Sequence, residues 1–519
     1  MASKLAKGSI IIFIGNIIFR VGGYVYRFLM ASLLGPSAYG ILGLTLPFQG
    51  IFQILAAGGL PPAIAKYVSE YNALDKKDLA NQTVYTALKI MAFLGIVMGL
   101  LMVFIVAPWL ADFFGKPEVL LPLQAVGLIT PFSVIVGAYR GAFQGVYKMD
   151  YILYTRAIEQ LFMIIFAVAL VMIGLSAFGA VLGSALGFAL SALSAYIIFK
   201  KYMGKYIRKP SPDFEFSKKQ EMELAVSLIS FSIPVTVAAL AEMCIYSACT
   251  IIMGYFLTSE TIGYYTAADP IGRLPLMISS SLATTILPAV SEAFSLKNKN
   301  LLGKYVTNVY RYGMVFVVPM CVGIAMYAKE IIGLVYFTNP AYIAGAGALA
   351  VLVIGMTFYS MFTISSSIVQ GIGNPRIPMY LLLFGTLVTV LLGYYLIPIY
   401  GIIGGSLAIT IASLAMMIPM LIVTFHITKT KAPIGFFTKI IIASIIMAIP
   451  IYFIQFFLGH NTIGLILGLI ICPIIYTIFL IAFRTLNPED INAARTFGNK
   501  FGPLTKYVQK FINILERYV

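Results

Sequence analysis

The chain alternates long apolar runs with short polar connections. Fourteen runs are long enough to cross a bilayer. They lie near 9–34, 41–66, 82–107, 119–146, 151–174, 178–200, 224–256, 262–291, 305–327, 342–370, 377–398, 402–427, 436–458 and 462–484; about 20 apolar residues suffice for a crossing. The apolar positions are continuous rather than alternating, which predicts helices and excludes a β-barrel. Several runs exceed the length of one perpendicular crossing, so tilts or kinks are expected. Pro47, Pro131, Pro234, Pro270, Pro275 and Pro378 mark candidate bends inside them. The predicted fold class is an all-α polytopic membrane protein.

One long polar interruption, KYMGKYIRKPSPDFEFSKKQEM at 201–222, splits the first twelve runs into six and six. The expected organisation is an N-terminal six-helix lobe (1–200), a cytoplasmic basic linker (201–222) and a C-terminal six-helix lobe (223–427). Two additional transmembrane helices (428–484) and a cytoplasmic tail (485–519) follow. The halves resemble each other. Pro62 in GGLPPAIAKYVSE meets Pro288 in TTILPAVSEAF, Gln144-Gly145 meets Gln370-Gly371, and FGAVLGS at 178 meets YGIIGGS at 400. Near-constant offsets in the same order point to parallel repeats, with a substrate site between lobes at the membrane midplane. In the tail, Leu504, Val508, Phe511, Ile512 and Leu515 recur at helical spacing between Lys506, Lys510 and Arg517. This is the pattern of an amphipathic helix lying on a leaflet.

Composition sharpens the picture. Of 519 residues, 60% are hydrophobic and only 10% charged, too much apolar surface for a soluble chain of this size. The net charge of +16 follows from Lys and Arg held on one side of a membrane rather than from a nucleic-acid surface. Lys4, Lys7, Lys76, Lys77, Lys148, the 201–222 linker, Lys297, Lys299, Arg376, Lys429, Lys431 and the tail fall in one set of alternate connections. The opposite set holds only Lys116 and Lys329. A cell-membrane location with both termini cytoplasmic is expected. The first run is too long for a cleaved signal peptide and is expected to remain as a helix. The four cysteines lie in apolar runs without metal spacing and read as packing residues. No HExxH, Walker or GxSxG pattern occurs, so an enzyme and a cofactor are not expected.

The remaining chemistry is carried by charges inside the apolar runs. Arg20 and Arg27 sit in the first, seven residues apart and hence on one helix face about 10 Å from each other. An arginine at this depth costs roughly 2.5–3.5 kcal/mol on insertion scales. Two on one face, with no acid in that helix, suit a phosphate or diphosphate; pairing with carboxylates elsewhere is the structural alternative. Glu242 occupies the position of Arg20 in the second half, as an ion-pair partner or a site for a coupling cation or proton. Asp269 and Arg273 are one turn apart; either they pair with each other, or they belong to the substrate site with Arg273 joining Arg20 and Arg27 on the phosphate. Arg140, Gln144, Arg156 and Glu159 cluster near the expected cytoplasmic ends of two runs, with Gln370 as the repeat mate of Gln144. Either they form a headgroup gate, or Arg156 and Glu159 pair at i, i+3 and the rest snorkel.

The segments ILGLTLPFQGIFQILAAGGLPPAIAKYVSEY (41–71), YRGAFQGVYKM (139–149) and IGYYTAADPIGRLPLMISSSLATTILPAVSEAF (262–294) resemble the MOP flippase superfamily. They look most like its polysaccharide-export and sporulation stage V branch, with lipid II flippases and multidrug exporters as cousins. The resemblance implies two six-helix lobes around a central cavity. It also implies alternating-access export of a polyprenyl-phosphate or -diphosphate saccharide, driven by a Na+ or H+ gradient or by membrane potential. Membrane lipids and glycan-assembly enzymes are the implied partners. Arg20 and Arg27 fall on the arginine motif of lipid II flippases, spaced by seven rather than six. Phe52, Gln53 and Ala57 stand where those flippases carry charges, and Pro270 stands where an arginine follows the aspartate. These departures point away from a peptidoglycan precursor and toward a generic lipid-linked oligosaccharide. The rival readings are a cation-coupled multidrug exporter and a non-transporting scaffold of a polysaccharide synthase.

Overall fold

A computed structural model describes residues 2–207, 216–485, 495 and 509, with side chains from Val21 onward apart from Lys205. The tail helix and the centre of the basic linker lie outside the described residues. Sixteen α-helices follow in order: α1 (Ala2–Ala57), α2 (Leu60–Ala73), α3 (Lys77–Leu101), α4 (Ala107–Phe114), α5 (Leu120–Gly145), α6 (Met149–Leu170), α7 (Ser176–Tyr202), α8 (Lys218–Phe256), α9 (Ser259–Gly272), α10 (Leu276–Ser295), α11 (Lys299–Met326), α12 (Ala328–Val335), α13 (Ala346–Gly371), α14 (Arg376–Thr428), α15 (Ile434–Leu458) and α16 (Thr462–Ala482). No strand occurs among the described residues.

Eleven continuous helical segments among the described residues are long and apolar enough to cross a membrane, fewer than the apolar runs. The difference lies in the connections. Val21–Ala73, Met149–Tyr202 and Arg376–Thr428 are 53, 54 and 53 residues long. A straight helix of that length would extend about 80 Å, more than twice the hydrocarbon core of about 30 Å. Each is interrupted at a glycine with positive φ: Gly35 (70°), Gly174 (96°) and Gly401 (59°). Glycine adopts positive φ without the Cβ penalty that other residues carry, so the direction changes there without a polar loop. The expected spans on either side of each glycine are joined into one hydrogen-bonded run. The capping box of Ser217 and Gln220 opens α8 at the end of the linker.

Contact density divides the chain into two units. The first comprises residues 1–267, 338–344 and 386–408; the second comprises 268–337, 345–385 and 409–519. Thus α8 belongs with α1–α7, because it packs antiparallel along the second half of α1. Gly50 faces Met243, Gly58 faces Thr236 and Gly59 faces Ser232. Each unit has its own apolar core. One is built on Ile64, Val84, Met91, Phe143 and Leu228, the other on Val290, Tyr310, Ile364, Ile440 and Leu465.

The sequence repeat is visible inside each unit. In the first, α5 approaches α2 so closely that a Cβ on Gly141 would lie 2.6 Å from the Pro61 carbonyl oxygen. In the second, a Cβ on Gly371 of α13 would lie 2.7 Å from the Leu287 carbonyl oxygen of α10. The Pro62–Pro288 and Gly145–Gly371 matches therefore fall on the same kind of helix pair.

Candidate functional site

Helix α1 has two distinct faces across residues 22–27. Gly22 and Tyr26, one turn apart, form the packed face. Gly22 lies under Gln160 of α6, and the Tyr26 hydroxyl donates to the Ala180 carbonyl of α7 at 3.1 Å. At 100° per residue, Arg27 lies about 100° from Tyr26 and about 140° from Gly22. Gly23, one turn below Arg27, faces open space: a Cβ there would meet nothing within 4 Å. Tyr24 on the same flank is exposed. Arg27 is half-buried, and no carboxylate pairs with it among the described residues. Residue 20 shares its face by helix geometry, and the Arg20 side chain lies outside the described residues. A guanidinium without a counter-ion is costly against lipid, so this face is suited to water and an anion.

Glu242 lies on α8 one residue before the Met243 that packs on Gly50. Glu242 is an exposed residue of α8 and has no ion-pair partner among the described residues. The same α1–α8 register brings Gln53 to its height, and the Gln53 amide nitrogen is buried without a hydrogen-bond acceptor among the described residues.

Arg140, Arg156 and Glu159 come together, in a pairing different from the i, i+3 alternative. Glu159 accepts from Arg140 Nη2 at 2.7 Å across the α5–α6 hairpin. Arg140 also donates to the hydroxyls of Thr155 and Ser191 at 3.1 Å each, which fastens α5, α6 and α7 together. Arg156 stands in electrostatic range of both Arg140 and Glu159. Next to them, Gln160 is 5% exposed and its amide nitrogen has no acceptor among the described residues. Sequence reasoning passed over Gln160, since a lone glutamine carries no motif. Its signal is the glycine opposite, Gly22, where a Cβ would lie 2.4 Å from Gln160 Cγ. Gln144 and Gln370 are both exposed at the last turns of α5 and α13, outside this cluster.

In the second unit, Asp269 and Arg273 pair with each other, Nε donating to Oδ1 at 2.7 Å. Both are partly exposed. The helix breaks at Arg273–Pro275 between α9 and α10, as the prolines predict, and short turns carry the chain across. No group of three or more potential metal ligands occurs among the described residues.

These features define a class: an all-helical, multi-pass membrane transporter fold with arginines and a carboxylate set into its crossing helices. The chain belongs to the polysaccharide biosynthesis protein family, whose profile matches residues 5–294, more than half of its length. The MatE family profile matches residues 234–395. An uncharacterized membrane protein of Methanocaldococcus jannaschii is 28% identical over 82% of this chain and 99% of its own. The lipid II flippase MurJ of Bacillus subtilis is 22% identical over 80% of this chain and 82% of its own. A solved structure of lipid II flippase MurJ in an inward closed conformation superposes with a TM-score of 0.74 at 19% identity. It covers 92% of this chain and 99% of the other. The fold is thus that of the MOP superfamily resembled by the sequence.

Proposed function

We propose that the protein is a flippase that moves a polyprenyl-phosphate or -diphosphate oligosaccharide across the cell membrane by alternating access. The observation that carries this reading is the Arg27 face of α1: a half-buried guanidinium without a carboxylate, beside the open surface at Gly23. The substrate phosphate supplies the missing counter-charge, with Arg20 as the second donor on that face. Membership in the polysaccharide biosynthesis family and the similarity to a lipid II flippase support the substrate class. The lobes at 1–200 and 223–427 rock against each other, with both termini cytoplasmic and the prenyl tail remaining in lipid beside residues 428–484.

Glu242 is the proposed site for a coupling H+ or Na+, as an acidic residue without an ion-pair partner among the described residues. That residue and the MatE match also favour a second reading, cation-coupled export of organic cations. Binding separates the two. A short-chain prenyl diphosphate should bind the purified protein, and Arg27→Ala should weaken it about 10- to 150-fold, the value of one charge-assisted hydrogen bond. Unchanged prenyl diphosphate binding by Arg27→Ala, together with organic-cation efflux by the wild type, would favour the exporter.

A further inference from the structure

We infer that the second unit carries a site for an anionic phospholipid: an apolar cavity between α11, α13, α14 and α15 takes one acyl chain, and the lysines of the α14–α15 connection hold the head group.

The cavity is the first support. Its volume is about 430 Å³, and its walls include Val318 and Cys321 of α11, Thr357 and Met361 of α13, Leu421 of α14 and Phe437 of α15. Ligand pockets commonly span about 300–1,000 Å³. Apart from Thr357 and the Cys321 thiol, the lining is aliphatic, aromatic or methionine. Water needs two to four polar partners to stay in such a space, and walls facing nothing forfeit their dispersion contacts. The occupant that suits it is therefore a hydrocarbon.

Shape narrows the choice. The lining runs from Met314 to Val322 on α11 and from Ile354 to Met361 on α13, about 12 Å and about 10 Å of helix rise. The space is thus elongated along the helices, as a lipid chain is. Two of its lining residues, Ile354 and Ile441, are exposed and mark where it is reached from the surface of the unit.

Depth and charge identify the lipid. Phe437 lies in the first turn of α15, and Leu421 lies about 10 Å of rise before the end of α14. The cavity therefore begins close under the α14–α15 connection, on the side that the charge pattern makes cytoplasmic. Lys429 and Lys431 in that connection are exposed, and no carboxylate pairs with them among the described residues. Thr430 between them packs at Gly303 of α11, where a Cβ would lie 3.4 Å from its Cγ2. The lysines are thus set over three of the four lining helices. From residue 299 to residue 485 the only acidic residue is Glu330. It is held by His460 and Gln455 next to the opposite end of α11. A basic segment at the inner leaflet attracts anionic lipid. Lysine is a hydrated point charge on a flexible stem, which suits a head group that stays at the interface while its chain inserts below. The site is separate from the Arg27 face and does not depend on that reading.

The test uses delipidated, detergent-purified full-length protein and phosphatidylglycerol carrying a diazirine in one acyl chain, at low lipid-to-protein ratio. Irradiation and peptide mass spectrometry map the adducts. They should fall on the lining segments of α11, α13 and α14, and unlabelled phosphatidylglycerol should suppress them. The same probe with a phosphatidylcholine head group should label about tenfold less, the value of two lysines near a membrane surface. Lys429→Gln/Lys431→Gln should erase that difference. Val322→Phe and Leu421→Trp, which fill the cavity from two different helices, should each lower the adducts at least tenfold, with folding checked by circular dichroism. The wild-type comparison decides even where a filled variant fails to fold. Adducts confined to other helices, or equal labelling of the cavity by the two wild-type probes, would overturn the inference. Suppression by a short-chain prenyl diphosphate but not by phosphatidylglycerol would give the cavity to the substrate tail and overturn it as well.

Discussion

Removing the Glu159 carboxylate exposes how the first unit handles buried charge. In Glu159→Ala, Arg140 loses its 2.7 Å acceptor while remaining only 17% exposed. It keeps the Thr155 and Ser191 hydroxyls, but these oxygens also donate to the carbonyls of Ile152 and Thr155. They are neutral and do not offset the charge. Arg156 adds repulsion from the other side. Stranding one partner of a buried ion pair costs about 3–5 kcal/mol. At 1.4 kcal/mol per tenfold change, the folded-to-unfolded ratio should drop by about two to three and a half orders of magnitude. The double variant Arg140→Met/Glu159→Leu removes both charges at similar volume and should fall within about 1.5 kcal/mol of wild type, since well-packed apolar pairs replace buried ion pairs at little cost. Reversible unfolding in mixed detergent micelles, followed by circular dichroism, measures both. A cost below about 1 kcal/mol for Glu159→Ala, or a double variant as damaged as the single, would refute the assignment of a buried, coupled pair.

Other contacts give sharp expectations. A Cβ at Gly40 would lie 1.8 Å from the Ser259 carbonyl oxygen, and one at Gly263 would lie 1.9 Å from that of Pro36. Both obstacles are backbone, so Gly40→Ala and Gly263→Ala should each cost about 1–3 kcal/mol or more in the same unfolding assay. Glu330, with a side chain 1% exposed, accepts from His460 Nδ1 at 2.6 Å and from Gln455 at 3.0 Å. His460→Ala should cost about 1–3 kcal/mol, and much less in a Glu330→Gln background. At the α5–α6 connection, Lys148 lies 4.6 Å over the Tyr206 ring. The hydrogen bond to Tyr206 raises its pKa above the ordinary lysine value, with burial opposing. Its stabilisation is therefore complete below the unfolded value and is lost as pH climbs through the raised folded value. Lys148→Met should cost about 0.5–1 kcal/mol at neutral pH, a difference that disappears in strongly alkaline unfolding titrations.

Much of this architecture is readable from the chain because a membrane imposes a length on every apolar run. The long apolar helices follow from that constraint, and the break between α9 and α10 follows from the prolines beside it. Gly35, Gly174 and Gly401 escape such a reading: they turn the chain inside apolar sequence, where no polar loop announces the change. Helix spacing foresaw the Asp269–Arg273 pair, whose partners are one turn apart. The same rule offered Arg156 for Glu159 and missed Arg140, because the hairpin at Tyr147, with φ 60°, brings α5 back alongside α6. Local spacing cannot encode a partner supplied by a second helix. The pairing proposed between Arg20 and Glu242 involves a side chain outside the described residues.

The central claim is that the Arg27 face of α1 handles the phosphate of a translocating lipid-linked saccharide. Its most direct test is leaflet translocation in proteoliposomes, using a fluorescent polyprenyl-diphosphate oligosaccharide. Wild type should move the probe between leaflets, and Arg27→Ala should reduce the initial rate at least tenfold while remaining folded, with partial recovery in Arg27→Lys. Wild-type rates in a folded Arg27→Ala/Arg20→Ala double variant would contradict the account.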